Sequence, residues 1–84
     1  MASLQLLDAI AVRPTSCTTD DVAAALGIER SFAGRQLYQA WVDGLALREF
    51  TDGLKPIERW LLTDLGATEL EIGERMHQAM REAA

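Results

Sequence analysis

The sequence predicts a mainly α fold with a small β-hairpin, in the order helix, helix, helix, hairpin, helix. Two observations carry this prediction. Apolar residues recur at helical spacing before residue 45 and after residue 63, whereas two short runs between them are rich in branched and aromatic residues. These runs, "LALREF" and "IERWLL", are separated by "TDGLKP", whose Asp-Gly pair and proline are typical of a hairpin turn.

The first helix is predicted to begin after Ser3, a residue type that suits an N-cap. It is predicted to end before Pro14, because the residue before a proline avoids the helical conformation. A short polar loop from Thr15 to Thr18 follows. The apolar side of the helix consists of Leu4, Leu7, Ile10 and Ala11.

The second helix is predicted from Thr18 and Asp21, which have the spacing of a capping box with aspartate in place of the usual glutamate. Gly27 suits the position just after the helix, where a positive φ is favourable. Ile28 is then expected to pack back under the turn. The apolar side of this helix consists of Val22, Ala25 and Leu26.

The third helix is predicted from about Arg30 to Asp43, and Gly44 closes it. Its core-facing positions are Ala33, Leu37, Ala40 and Trp41. A short helix and a longer one joined by a glycine-containing turn form a helix-turn-helix unit. The predicted hairpin that follows makes this unit a winged helix.

Thr63 is predicted to cap a fourth helix that begins at Asp64. Gly66 and Gly73 lie inside it, and each weakens it by about 1 kcal/mol relative to alanine. One side of this helix carries an apolar stripe of Leu65, Ile72, Met76 and Met80. Residues 1–84 are therefore expected to form a single winged-helix domain, with residues 64–84 as its C-terminal helix.

Composition narrows the class of protein. The 84 residues are 49% hydrophobic and 25% charged, which is typical of one folded domain. The net charge is −5 and the isoelectric point about 4.6, so the chain lacks the overall basic character of most nucleic-acid binders. The single Cys17 excludes an internal disulfide, and neither a signal peptide nor a membrane-spanning stretch is apparent. We therefore expect a cytoplasmic protein.

From about Thr18 to Leu70 the sequence resembles winged helix-turn-helix transcription regulators, particularly the MarR-like superfamily. "TTDDVAAALGI" is similar to that family's second helix and turn, "RSFAGRQLYQAWVDGLALRE" to its recognition helix and wing entry, and "LLTDLGATEL" to its wing exit. The resemblance implies a sequence-specific regulator from a bacterium or phage that binds double-stranded DNA as a homodimer. Two features depart from the family: the chain is shorter than a full subunit, and Lys55 is the sole basic residue of the wing tip.

The outward face of the third helix is the candidate DNA-binding site. It presents Arg30, Ser31, Gly34, Arg35, Tyr38 and Gln39, with Phe32 at its edge and Lys55 in the wing. Arginine pairs with guanine and glutamine with adenine, while Ser31 and the helix N-terminus suit a phosphate. Gly34 is expected to let the duplex approach the backbone closely. The alternative is an ordinary solvated face with two arginines.

Three aromatic residues have other expected roles. Phe32 is expected either to contact a thymine methyl or a protein partner, or to pack on the second helix. Trp41 and Trp60 are expected in the core, leaning on one another where the hairpin folds back, rather than lining a ligand pocket.

No catalytic or cofactor chemistry is expected. Cys17 lies in a polar loop before a helix N-terminus, a position that favours a thiolate. We nevertheless expect it to be a small residue without a chemical role and not an oxidant sensor. His77 is the sole histidine, so the sequence offers no metal-ligand cluster and no nucleophile-base pair. The sequence therefore predicts neither an enzyme nor a metal or cofactor site.

The fourth helix is the candidate dimer interface. Its distal part, from Met76 to Met80, has little of its own domain left to cover, which favours a homodimer through the stripe of Leu65, Ile72, Met76 and Met80. The alternative is a frayed tail. A second functional hypothesis belongs to another class: a winged-helix protein-interaction module with an acidic surface and no DNA binding.

Overall fold

The computed structural model describes residues 3–14 and 16–83, and it confirms the predicted order of elements. The elements are α1 (Leu4–Ala11), α2 (Thr19–Leu26), α3 (Arg30–Val42), β1 (Ala46–Phe50), β2 (Glu58–Leu62) and α4 (Asp64–Ala83). Each strand begins one residue later than predicted. Thr15 of the predicted loop and Ala84 of the predicted last helix lie outside the described residues.

Side chains cap the helices where the sequence predicts them. The Ser3 hydroxyl accepts the Leu6 N–H at 3.2 Å, and Thr18 and Asp21 form a complete capping box at the start of α2. The backbone N–H of Thr18 donates to the Asp21 carboxylate at 3.0 Å, which holds the pKa of that carboxyl below its ordinary value. Gly27 ends α2 with φ of 66°, as predicted.

The core differs from the prediction on each of the first two helices, because Leu6, Ala9 and Ala23 are buried although none of them was among the predicted apolar positions. Leu4 is 38% exposed, while Leu6 is fully buried. Ala25 is exposed and its place is taken by Ala23, because the face of α2 that packs against its neighbours is centred between Val22 and Ala23. The remaining large buried side chains are Leu7, Ile10, Cys17, Leu37, Leu45, Trp60 and Leu70.

The two strands form an antiparallel hairpin that packs one face on the helices. Ala46 lies opposite Leu62 and Arg48 opposite Trp60. Since side chains alternate along a strand, Ala46, Arg48 and Trp60 share the face that is turned to the core. The backbone N–H of Trp60 also donates to the Cys17 carbonyl at 2.7 Å, so the segment before α2 pairs with the hairpin.

That pairing corrects the expectation for Cys17, which is buried rather than in a polar loop. Its thiol lies 3.9 Å from the Ala9 carbonyl and is fully shielded from water. Burial, with a smaller contribution from the charge of Asp21, raises the pKa of the Cys17 thiol to about 11. The position before a helix N-terminus therefore does not produce a thiolate.

Cys17 is expected to be unreactive in the folded protein. At pH 8 the buried thiol is protonated and inaccessible, so an aromatic disulfide reagent should label it at least about a hundredfold more slowly in the native protein than in urea. The release of the coloured thiolate measures both rates. Labelling at similar rates in the two states would show that this segment opens readily.

The last helix extends beyond the body of the domain. Leu70 and Gly66 are buried, whereas every residue from 74 to 82 is exposed. Thr63 caps the helix as predicted, since its hydroxyl accepts the Gly66 N–H at 2.9 Å. Among residues 3–14 and 16–83, no helix combines the length and apolar character needed to cross a membrane.

Candidate nucleic-acid interface

The core contacts of α3 decide which of its residues face outward. Ala33, Leu37 and Ala40 are fully buried against the other elements. The opposite side of the helix is exposed and presents Ser31, Phe32, Arg35, Tyr38, Gln39 and Val42. The structure thus places most of the predicted DNA-binding residues together on one accessible surface. We call this surface the α3 face.

Gly34 does not belong to the α3 face. It is half-buried, and a Cβ atom at this position would lie 3.9 Å from Cγ2 of Thr19 in α2, an ordinary van der Waals distance. This placement does not favour a close approach of the duplex to the backbone at Gly34, which stays a prediction. Gly34 faces the neighbouring helix because it lies about 100° around α3 from the central Arg35.

Gly34→Ala is expected to stabilise the protein by about 0.5–1 kcal/mol, because alanine is the better helix former and the space for its methyl group exists. Denaturant unfolding of the variant and the parent measures this difference. DNA affinity should stay unchanged. A loss of affinity with an intact fold would place Gly34 at the nucleic-acid surface after all.

Trp41 is also placed differently from the prediction. It is 40% exposed, and its ring meets the edge of the Tyr38 ring at 5.5 Å between centroids. The Arg48 guanidinium lies 5.9 Å from the Trp41 ring and 5.0 Å from the Phe50 ring. Trp41 is at the margin of the buried stripe, where β1 runs beside α3, so it packs on the hairpin without entering the core. Phe32 is 50% exposed and is therefore accessible to a partner.

Trp60 is buried as predicted, but its polar partner lies on α2. Its indole N–H donates to the Thr19 hydroxyl at 3.0 Å, and this hydroxyl donates to the Glu58 carboxylate at 3.0 Å. Glu58 in turn accepts a hydrogen bond of 2.6 Å from Nε of Arg48, and Nη2 of Arg48 lies 2.6 Å from the same carboxylate oxygen. This series of hydrogen bonds ties the hairpin to α2 and holds Arg48 beside Trp41. Sequence reasoning missed it, because the pairing register is needed to bring Arg48 and Glu58 together.

Carboxylates neutralise three of the arginines on α3 and the hairpin. Arg30 pairs with Asp20 at 2.8 Å and Arg59 with Glu49 at 3.1 Å, in addition to the pair of Arg48 with Glu58. Within residues 3–14 and 16–83, Arg35 and Lys55 make no ion pair. Gln39 is engaged as well, since its amide donates to Asp43 at 3.0 Å.

An open groove lies between α1 and α4, away from the α3 face. It has a volume of about 810 Å³, and its lining includes Leu4, Asp8, Leu70, His77 and Arg81. No group of three or more metal-ligating side chains is found in the part of the chain that the structure describes.

Comparison with solved structures supports the family resemblance. A MarR family transcriptional regulator from Silicibacter pomeroyi DSS has a TM-score of 0.76 and 25% sequence identity to this chain. The similarity covers 94% of this chain and 52% of that one, so this chain spans about half of that regulator's length. No protein-family model and no curated protein sequence matches. The fold is a winged helix of the MarR-like type, as the sequence predicts.

Proposed function

We propose that this chain is a sequence-specific, double-stranded DNA-binding transcription regulator that acts as a homodimer in the cytoplasm of a bacterium or of a phage host. One observation carries the proposal: a helix-turn-helix and hairpin arrangement, similar to that of a MarR family regulator, exposes the polar α3 face. Such a helix enters the major groove and contacts base edges with its N-terminal half.

The side chains of the α3 face suit both base and phosphate contacts. Arg35 is exposed and unpaired among the described residues, so it is the strongest candidate for a bidentate contact to guanine. Gln39 can form hydrogen bonds to adenine after its amide releases Asp43. Ser31 and Lys55 are exposed and suit phosphates, while Arg30 must first leave Asp20.

The exposed end of α4 supports the homodimer. No side chain of residues 74–82 is buried. An unpacked helix of this length has only marginal stability in water. Its apolar stripe of Leu65, Ile72, Met76 and Met80 is 48–71% exposed. A second copy that covers the stripe would stabilise the helix and place two α3 faces for half-sites about one helical turn apart.

A protein-interaction module remains the second candidate, and a specific observation favours it. Phe32, Tyr38, Trp41 and Phe50 expose large apolar areas around α3. The nearby Arg30 and Arg48 are neutralised by carboxylates. Exposed aromatics of this kind are frequent anchors of protein interfaces. The net charge of −5 points in the same direction.

Selection of an operator from a random duplex library separates the two candidates. A DNA reader should enrich one sequence family and bind it more tightly than a random duplex, with an affinity that falls as salt rises. Equilibrium titrations of both duplexes at several salt concentrations measure this. The absence of enrichment, together with an affinity that is independent of salt, would favour the protein-interaction module.

A further inference from the structure

Two carboxylates hold arginines near the two ends of α3. Arg30, the first residue of α3, pairs with Asp20 of α2 through Nε and Oδ1 at 2.8 Å. Arg48 of β1, whose guanidinium lies over Trp41 near the other end of α3, pairs with Glu58 of β2 at 2.6 Å. In each pair, the acid comes from a neighbouring element and pairs with a guanidinium, a group that phosphates also bind.

The Arg30–Asp20 pair is weak enough for DNA to break. Its side chains are 73% and 72% exposed, and ion pairs of this kind typically contribute roughly 0–1 kcal/mol. A phosphate can therefore compete for Arg30. The carboxylate would stay close to the phosphate after the exchange and repel it, so the contact would add little affinity.

We propose that Asp20 and Glu58 are specificity-determining residues, which mask Arg30 and Arg48 from phosphates and thereby lower binding to DNA of the wrong sequence. This inference rests on the proposed function. Phosphate contacts add affinity for every sequence, whereas base contacts discriminate among sequences. Masking weakens the phosphate contacts of Arg30 and Arg48, while Arg35 remains available to contact bases.

Charge-neutral variants of the two acids test the masking. Asp20→Asn and Glu58→Gln each remove the negative charge that pairs with one arginine, and glutamine keeps an oxygen that can accept a hydrogen bond from the Thr19 hydroxyl. Glu71→Gln is the matched control: it makes the same change in charge and frees Arg75 on α4, away from the α3 face. Fluorescence anisotropy of the full chain with a labelled random duplex and with a selected operator, at several salt concentrations, gives affinity and salt dependence.

Each masking variant is expected to bind the random duplex several-fold more tightly than the parent. The plot of log affinity against log salt should be steeper by roughly 0.9 for each additional phosphate that the variant neutralises. The preference for the operator over the random duplex should fall accordingly, while Glu71→Gln should match the parent. Thermal melting monitors the fold, and Asp20→Asn, on the exposed surface, gives the result even if Glu58→Gln is unstable.

The outcomes separate this inference from the proposed function. A parent that prefers an operator, with masking variants that behave like Glu71→Gln, would overturn the masking alone. A parent without sequence preference, whose masking variants nevertheless bind more tightly and with a steeper salt dependence, would overturn the sequence-specific function and support the masking. If neither the parent nor the variants bind any duplex at low salt, both are wrong.

Discussion

Gly66→Ala is expected to destabilise the protein by about 3 kcal/mol, a large part of the stability of so small a domain. A Cβ atom at Gly66 would overlap the carbonyl oxygen of Leu45 and lie 2.9 Å from its carbonyl carbon. The same oxygen accepts the Thr63 N–H at 3.1 Å, at the junction of β2 and α4. The Leu45 backbone cannot move away from an added methyl group without breaking this hydrogen bond at the junction of β2 and α4. Urea unfolding of the variant measures the change.

Gly73→Ala is the matched control for that substitution. Its Cβ would meet the tip of the Leu4 side chain, with Cδ1 at 2.7 Å, and Leu4 is partly exposed and can change rotamer. The better helix propensity of alanine, worth about 1 kcal/mol, offsets the displacement, so little net change is expected. Equal destabilisation by both substitutions would show that helix strain in general, and not the contact with Leu45, sets the effect.

Replacing Met76 and Met80 together with aspartate is expected to convert a dimer into a folded monomer. Both side chains are exposed in the single chain, at 63% and 71%, so the substitutions leave its core intact. In the proposed dimer they would bury charges in an apolar seam, which is strongly unfavourable. Sedimentation equilibrium of the parent and the variant, at micromolar to high micromolar concentrations, measures the change in mass.

Gln78→Asp controls for added charge on the same helix, because Gln78 lines the groove with α1 and lies off the apolar stripe. This variant is expected to remain dimeric. A parent chain that is already monomeric at high micromolar concentration would rule out the dimer. Dissociation by Gln78→Asp as well would place the interface in the groove or make it sensitive to charge in general.

The elements of the fold follow from local signals that the sequence contains. The capping box of Thr18 and Asp21 and the positive φ of Gly27 depend on residues a few positions apart. Local hydrogen bonds and backbone sterics decide them, which is why the turn between α2 and α3 could be predicted. The same holds for Thr63 at the start of α4.

The predictions that failed depend on contacts between distant segments. Cys17 is buried because it pairs with Trp60 of the hairpin, far along the chain. Trp41 packs on Arg48 of β1 at the margin of the core, which its own helix does not reveal. The ion pairs of Arg30 and Arg48 likewise require the relative placement of neighbouring elements. The glycines of α4 show the same limit. Helix propensity predicts only that each glycine lowers the stability of the helix, whereas the close approach of the Leu45 backbone explains why a glycine occupies position 66.

The affinity of an Arg30/Arg35 double alanine variant for a selected operator tests whether the α3 face and the adjoining Arg30 bind DNA. Arg35→Ala alone is expected to cost about 1–3 kcal/mol if the side chain contacts a base, and the double variant should lose at least as much. Arg75→Ala on α4 is the control and should bind like the parent. Operator affinity that survives the double substitution unchanged, in a folded protein, would show that the α3 face does not bind DNA.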